Sequence, residues 1–301
     1  MGIVIKHGLK ASIASYLGVG VGAFNNLYLF PKVIGAEGIG IINIISAAAT
    51  LFLPLLQLGF TTSLVKYFPI FKDKPYAGTF VTYAFLIPLI ALIIFILSWP
   101  LTQGLFAWLF EKNAKIIFQN IYWVLPLTGI LLFYGLCESL AKANFKIIFP
   151  TLVRNLIWRV SMSAGIALIA FDYLEYDQLS QILVGSWLFS LICITIYIFG
   201  QGDFKFEWKN GIHKLPEIKE FNSFSKYVIL LSLGGILIQR IDQLMVTSYL
   251  GTSAAGVFST AMYFATLIEI PKRSVMAIIS PILVDSFKSH NIKQVGQLYK
   301  K

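Results

Sequence analysis

The 301-residue chain is 57% hydrophobic and 13% charged, with a mean hydropathy of +0.77, which excludes an ordinary soluble globular domain. Its net charge of +10 arises from 24 Lys and Arg against 14 Asp and Glu. Basicity of that size fits either a nucleic-acid binder or a membrane topology signal, and the placement of the charges decides between them.

The opening MGIVIKHGLKAS lacks the short apolar core and small-residue cleavage site of a secretory signal, so the first span is expected to stay in the mature protein. Runs such as AFLIPLIALIIFILSW (84–99) and SWLFSLICITIYIFG (186–200) carry no charge and are apolar all round. A bilayer core needs roughly 20 such residues. Eight spans are predicted, at roughly 9–31, 38–60, 77–99, 117–137, 147–171, 179–200, 227–250 and 254–283. The predicted fold class is an all-α integral membrane protein, a polytopic helical bundle.

An even number of spans places both termini on one side. Sixteen Lys fall in segments on that side and three (Lys32, Lys112, Lys115) on the other; five cations lie inside spans. The positive-inside bias therefore puts the N-terminus in the cytoplasm of a multi-pass protein. The fifth–sixth connection carries Asp172, Glu175 and Asp177 instead. Basicity is thus a topogenic signal; membrane lipids surround the protein, and nucleic acid is not an expected partner. The connection over 201–226 alternates in charge and is interrupted by Pro216, which predicts an amphipathic cytoplasmic linker. It divides the chain into a first lobe of six spans (1–200), the linker (201–226) and the start of a second lobe (227–301).

A shift of 216 residues overlays GAEGIGIIN (35–43) on GTSAAGVFS (251–259), matching Gly35 to Gly251, Gly40 to Gly256 and Asn43 to Ser259, with Gly18 on Gly234 upstream. In each copy a glycine-bearing turn leads into a long helix, 38–68 or 254–284, of roughly 46 Å at 1.5 Å per residue. Pro54 and Pro271 are the expected bend points. Six intervening spans give the copies one orientation, a parallel repeat about the membrane normal. The second lobe then has two of its six spans, so a truncated chain from a protein of twelve to fourteen spans is expected.

Charged and polar side chains inside the spans are the candidate site, because an ionised group in hydrocarbon normally faces a wet cavity or a partner. Arg159 lies deep in the fifth span, as a cavity residue or as a contact to a backbone carbonyl; Arg154, nearer the end, suits snorkelling. In the seventh span Gln239, Asp242 and Gln243 share a face flanked by Arg240; Arg240 and Asp242 are poorly placed to bridge. Glu269, Lys272 and Arg273 repeat the i, i+3, i+4 spacing in the eighth. Asn25 and Asn26 are further candidates for the cavity wall, whereas Glu138 and Lys142 read as a solvated i, i+4 pair. Gly18, Gly20 and Gly22 suggest close helix packing, since no strand precedes them. Isolated Cys137 and Cys193, with His7, His213 and His290 far apart, predict no metal site and no disulfide framework. No nucleotide motif or triad spacing is visible, so neither cofactor nor catalytic residue is expected.

The GAEGIG turn, the second helix ending LLQLGFTTSLVKYFP (55–69) and the repeated RIDQLMVTSYLGTSAAGVFSTA (240–261) resemble the polysaccharide exporters of the multidrug/oligosaccharidyl-lipid/polysaccharide exporter superfamily, which includes O-antigen-type flippases. The resemblance implies two six-helix lobes around a cavity that opens alternately to each side. It implies a bacterial inner-membrane flippase moving polyprenyl-diphosphate-linked oligosaccharide for surface polysaccharide such as lipopolysaccharide. Arg159, Arg240 and Arg273 would then hold the diphosphate, H+ or Na+ could couple, and polymerase or ligase machinery could be a partner. A cation-coupled drug antiporter of the same superfamily and a membrane glycan polymerase or ligase are the alternatives. The first needs a core carboxylate, for which Asp242 and Glu269 are available. The second needs a reaction site on a large outer loop, and the outer connections are short.

Overall fold

A computed structural model describes residues 15–109, 122–200, 206–207 and 217–266. Every regular element among them is helical: α1 (15–33), α2 (Gly35–Gln57), α3 (Phe60–Phe71), α4 (Ala77–Leu109), α5 (Val124–Ala143), α6 (Ile148–Ala170), α7 (Leu179–Gly200), α8 (Ile218–Leu250) and α9, which starts at 252. Among the described residues six helices are long and apolar enough to cross a bilayer: α2, α4, α5, α6, α7 and α8. The protein is a multi-pass helical membrane protein. One compact unit is Met1–Ser259; in the other, Thr260–Lys301, residues 260–266 are helical and Thr266 Oγ1 donates to the Met262 carbonyl at 3.0 Å. Glu269, Lys272, Arg273 and the remainder of the eighth span lie outside the described residues.

Short turns connect α5 to α6 and α6 to α7. Between α5 and α6, Phe145 adopts φ 60°; its N–H donates to the Lys142 carbonyl at 2.9 Å and that of Lys146 to the Ala141 carbonyl at 3.0 Å. Between α6 and α7, Asp172 (φ 60°) donates to Ile169 and Tyr173 to Leu168, both at 3.0 Å. Both are Schellman closures, which satisfy the last carbonyls of a helix by one left-handed residue.

Two apolar layers fill the lobe. One gathers Ile39–Ile45 of α2, Leu92–Trp99 of α4, Leu127–Leu132 of α5, and Met162 and Ile166 of α6 with Leu179 and Leu183 of α7. The other gathers Phe60–Phe71 of α3, Phe80 and Tyr83 of α4, Tyr134–Leu140 of α5, Ile194 and Ile198 of α7, and Phe221 of α8. Phe221 is fully buried, edge-on to Phe60, Tyr67 and Phe80. Large apolar side chains on α4 stay uncovered, Ile94, Leu97 and Leu101 among them, as a helix face meeting lipid tails requires.

Two boundaries differ from expectation. The second long helix continues through Pro54 and breaks instead at Leu58 and Gly59, whose φ values of 50° and 71° are both left-handed. A single proline removes one hydrogen bond and can be absorbed within a helix, whereas two consecutive left-handed residues end it. The helix of the seventh span begins at Ile218, so 218–226, expected in the amphipathic linker, belongs to α8. Packing explains the extension. Glu217 Oε1 lies 3.4 Å from Lys74 Nζ, the Tyr83 hydroxyl donates to Asn222 Oδ1 at 3.0 Å, Ser225 donates to Ser63 Oγ at 2.7 Å, and Lys66 Nζ sits 3.9 Å from the centre of the Phe224 ring.

Candidate functional site

The repeat is visible in matched bonds. Gly35 and Gly251 both take positive φ, 63° and 91°, at the turns before α2 and α9. Asn43 Nδ2 donates to the Ile39 carbonyl at 2.9 Å, and its counterpart Ser259 donates to the Ala255 carbonyl at 2.7 Å; Ile39 and Ala255 are themselves counterparts. α2 and α9 meet at Gly40 and Gly256, where a Cβ on either would overlap the other helix's backbone, at Thr252 and Ala36 respectively. Bare backbones can approach that closely only where both helices carry small residues.

Beside this crossing stands the first polar cluster. Arg240, half-buried on α8, donates from Nη1 to Gln243 Oε1 at 3.4 Å. Gln243 is buried and donates from Nε2 to Ser259 Oγ at 3.1 Å, while buried Thr247 donates to the Gln243 carbonyl at 2.8 Å. Gln239 and Asp242 are exposed. The polar arc of α8 therefore straddles a seam: Gln243 faces α9, whereas Gln239 and Asp242 face outward. Arg240 pairs with the amide at i+3, and no carboxylate pairs with it among the described residues.

A second cluster joins α1 to α6. Arg159 donates from Nη1 to the Gly18 carbonyl at 2.8 Å, and Asn25 Nδ2 donates back to the Arg159 carbonyl at 3.1 Å. Ser163 donates to Asn25 Oδ1 at 2.7 Å, and Asn155 Nδ2 to Ser15 Oγ at 3.1 Å. Of the two readings of Arg159, the carbonyl contact describes its Nη1. Asn25 is 2% exposed and belongs to the clamp rather than to an open wall; Asn26, half-buried, returns its amide to the Gly22 carbonyl at 2.9 Å. Both helices widen into a π turn here, Asn25–Leu29 in α1 and Val153–Ile157 in α6. Of the three glycines expected to permit close packing, Gly18 lies against the backbone of Asn155, but Gly20 has nothing within 4 Å.

The third cluster was not legible as one. Glu138 is 7% exposed, and its carboxylate holds Lys142 Nζ at 2.8 Å and Arg154 Nη1 at 3.4 and 3.5 Å. The solvated-pair reading of Glu138 and Lys142 is thus corrected: a carboxylate this buried needs charge partners, and α6 supplies one. A signal was present, because Glu138 and Arg154 flank the α5–α6 turn at equal distances from Lys146 and so sit at one depth. Cys137 is buried with its Sγ 4.0 Å from Thr195 Oγ1, and Cys193 is half-buried; both are free thiols.

Lipid-length apolar helices, with cations retained inside them, define a polytopic membrane protein built around polar seams. Residues 32–301 match the family described as polysaccharide biosynthesis protein, and the chain belongs to that family. No curated protein and no solved structure matches it.

Proposed function

We propose that the protein is a transporter of polysaccharide biosynthesis, moving a polyprenyl-diphosphate-linked oligosaccharide across the bacterial inner membrane by alternating access. The family supports the pathway and the apolar helices support the membrane. One observation carries the substrate class: Arg240 keeps a half-buried guanidinium at the α8–α9 seam with a neutral amide as its partner. A cation held in apolar surroundings without a carboxylate is suited to an anion that arrives and leaves. Guanidinium presents a rigid fork to phosphate oxygens and does not deprotonate.

In this reading the Lys-rich ends of the helices, with the N-terminus, face the cytoplasm. Arg159, tied by Nη1 to the Gly18 carbonyl, is a second cation of this reading, and Lys272, Arg273 and Glu269, which lie outside the described residues, are candidates from the sequence alone. The prenyl tail stays in lipid, and an H+ or Na+ gradient drives release. Polymerase and ligase machinery would take the product on the outer face. The test is export of surface polysaccharide in a host lacking its own exporter. Arg240→Ala should abolish export at unchanged protein abundance. Normal export by that variant overturns the assignment.

A further inference from the structure

The Glu138 cluster shares no residue with the Arg240 seam, and its charge does not balance. Two cations share one carboxylate, so it carries one net positive charge. The carboxylate is the buried member, with 9% of its side chain exposed, while Lys142 and Arg154 expose 36% and 58% of theirs. A single guanidinium nitrogen, Nη1, contacts both carboxylate oxygens. Only Nη1 of Arg154 bonds among the described residues, and 58% of the side chain is exposed.

Glu138 accepts from both cations and so anchors them to α5. It fixes an ammonium and a guanidinium side by side near the end of α5. Arg154 lies only six residues into α6, or about 9 Å of rise, within snorkelling reach of a headgroup layer. It also sits inside the π turn Val153–Ile157, an irregularity that is frequent at functional sites. Excess positive charge at that depth cannot rest against hydrocarbon. An ammonium beside a guanidinium fork matches the oxygens of a phosphate or diphosphate group.

We propose that Lys142 and Arg154, oriented by Glu138, form a binding site for a phosphate-bearing lipid headgroup in the leaflet at the α5–α6 turn. With the orientation proposed above, that leaflet is the cytoplasmic one, where cargo would be received before it reaches Arg240. Glu138 is a positioning residue, and Arg154 makes the ligand contact. The headgroup belongs either to the diphosphate cargo or to a resident anionic phospholipid.

The test uses the full chain in phosphatidylcholine nanodiscs, titrated separately with polyprenyl diphosphate and with phosphatidylglycerol. Bound lipid is counted by native mass spectrometry, and the melting temperature is measured without ligand. Arg154→Gln should weaken retention of one of the two lipids at least fivefold. Arg154→Lys keeps the ion pair but lacks the fork, so retention should fall while ligand-free melting stays unchanged. A loss confined to polyprenyl diphosphate assigns the site to cargo; a loss confined to phosphatidylglycerol assigns it to resident lipid. Undiminished retention of both lipids by both variants, or retention of neither by the wild type, overturns the site. Arg240→Gln separates the two readings, because it should leave the phosphatidylglycerol result intact whatever it does to export.

Discussion

Gly40 and Gly256 pack reciprocally: each lies against the backbone of the residue four positions before the other, Thr252 for Gly40 and Ala36 for Gly256. The same 216-residue shift relates both glycines and both of their contacts. A pseudo-two-fold relation between α2 and the start of α9 therefore follows from the contact itself, independently of the sequence match.

Adding one methyl group tests that crossing. Gly→Ala within a helix gains up to about 1 kcal/mol from propensity, whereas overpacking costs about 1–3 kcal/mol. At Gly40 and Gly256 the obstacle is a backbone carbonyl, which cannot rotate away, so the cost wins. Gly40→Ala and Gly256→Ala should each lower the melting temperature. Gly20→Ala, with nothing within 4 Å, should be neutral or slightly stabilising. Equal effects at all three positions would contradict the crossing.

The break in the second long helix separates two substitutions that the sequence alone would rank the other way. Pro54→Ala restores a backbone donor in a helix that already continues through this position, so the fold should survive it. Gly59→Ala combines a φ of 71° with overlap of the Ser225 carbonyl. It should cost at least about 1 kcal/mol, read as the denaturation midpoint in mild detergent. A more damaging Pro54→Ala would return the bend to the proline.

Arg159 and Arg240 should fail in different ways. Arg159→Ala removes the Nη1 bond to Gly18 that ties α1 to α6, so abundance should fall along with export. A lost bond to a charged donor is worth roughly 1.5–3 kcal/mol. Arg240→Ala leaves an amide that still has Ser259 as a partner, so abundance should hold. Quantitative immunoblotting of membrane fractions distinguishes them, and identical abundance losses would contradict the division of roles.

Orientation is testable at two turns. Phe145 and Tyr173 are 79% and 77% exposed, at opposite ends of α6. In a background with Cys137 and Cys193 replaced by Ala, Phe145→Cys should resist an impermeant thiol reagent applied to intact cells, and Tyr173→Cys should react. The reverse pattern inverts the topology.

The sequence carried the architecture further than the site. Continuous apolar runs are a one-dimensional signal, and the sixth span, 179–200, coincides with Leu179–Gly200. α8 extended beyond its apolar run because aromatic and hydroxyl contacts to α3 and α4 hold Phe221 and Ser225, and those partners are more than a hundred residues distant. Helix breaks set by φ, as at Leu58, leave little compositional trace. Charge positions are plain in a sequence, whereas the partners that meet them from other helices are not. For Arg159 a cavity role and a backbone-carbonyl contact both stood open, because no sequence pattern marks the Gly18 carbonyl as its acceptor. Glu138 looked solvated because its second partner sits across a turn.

The most direct measurement is flipping itself. The full chain in proteoliposomes, given a fluorescent polyprenyl-diphosphate oligosaccharide, should move label to the opposite leaflet, and Arg240→Ala should stop that movement without altering protein insertion. Wild-type vesicles that leave the label in place, or an alanine variant as fast as wild type, would contradict an anion-carrying role for Arg240.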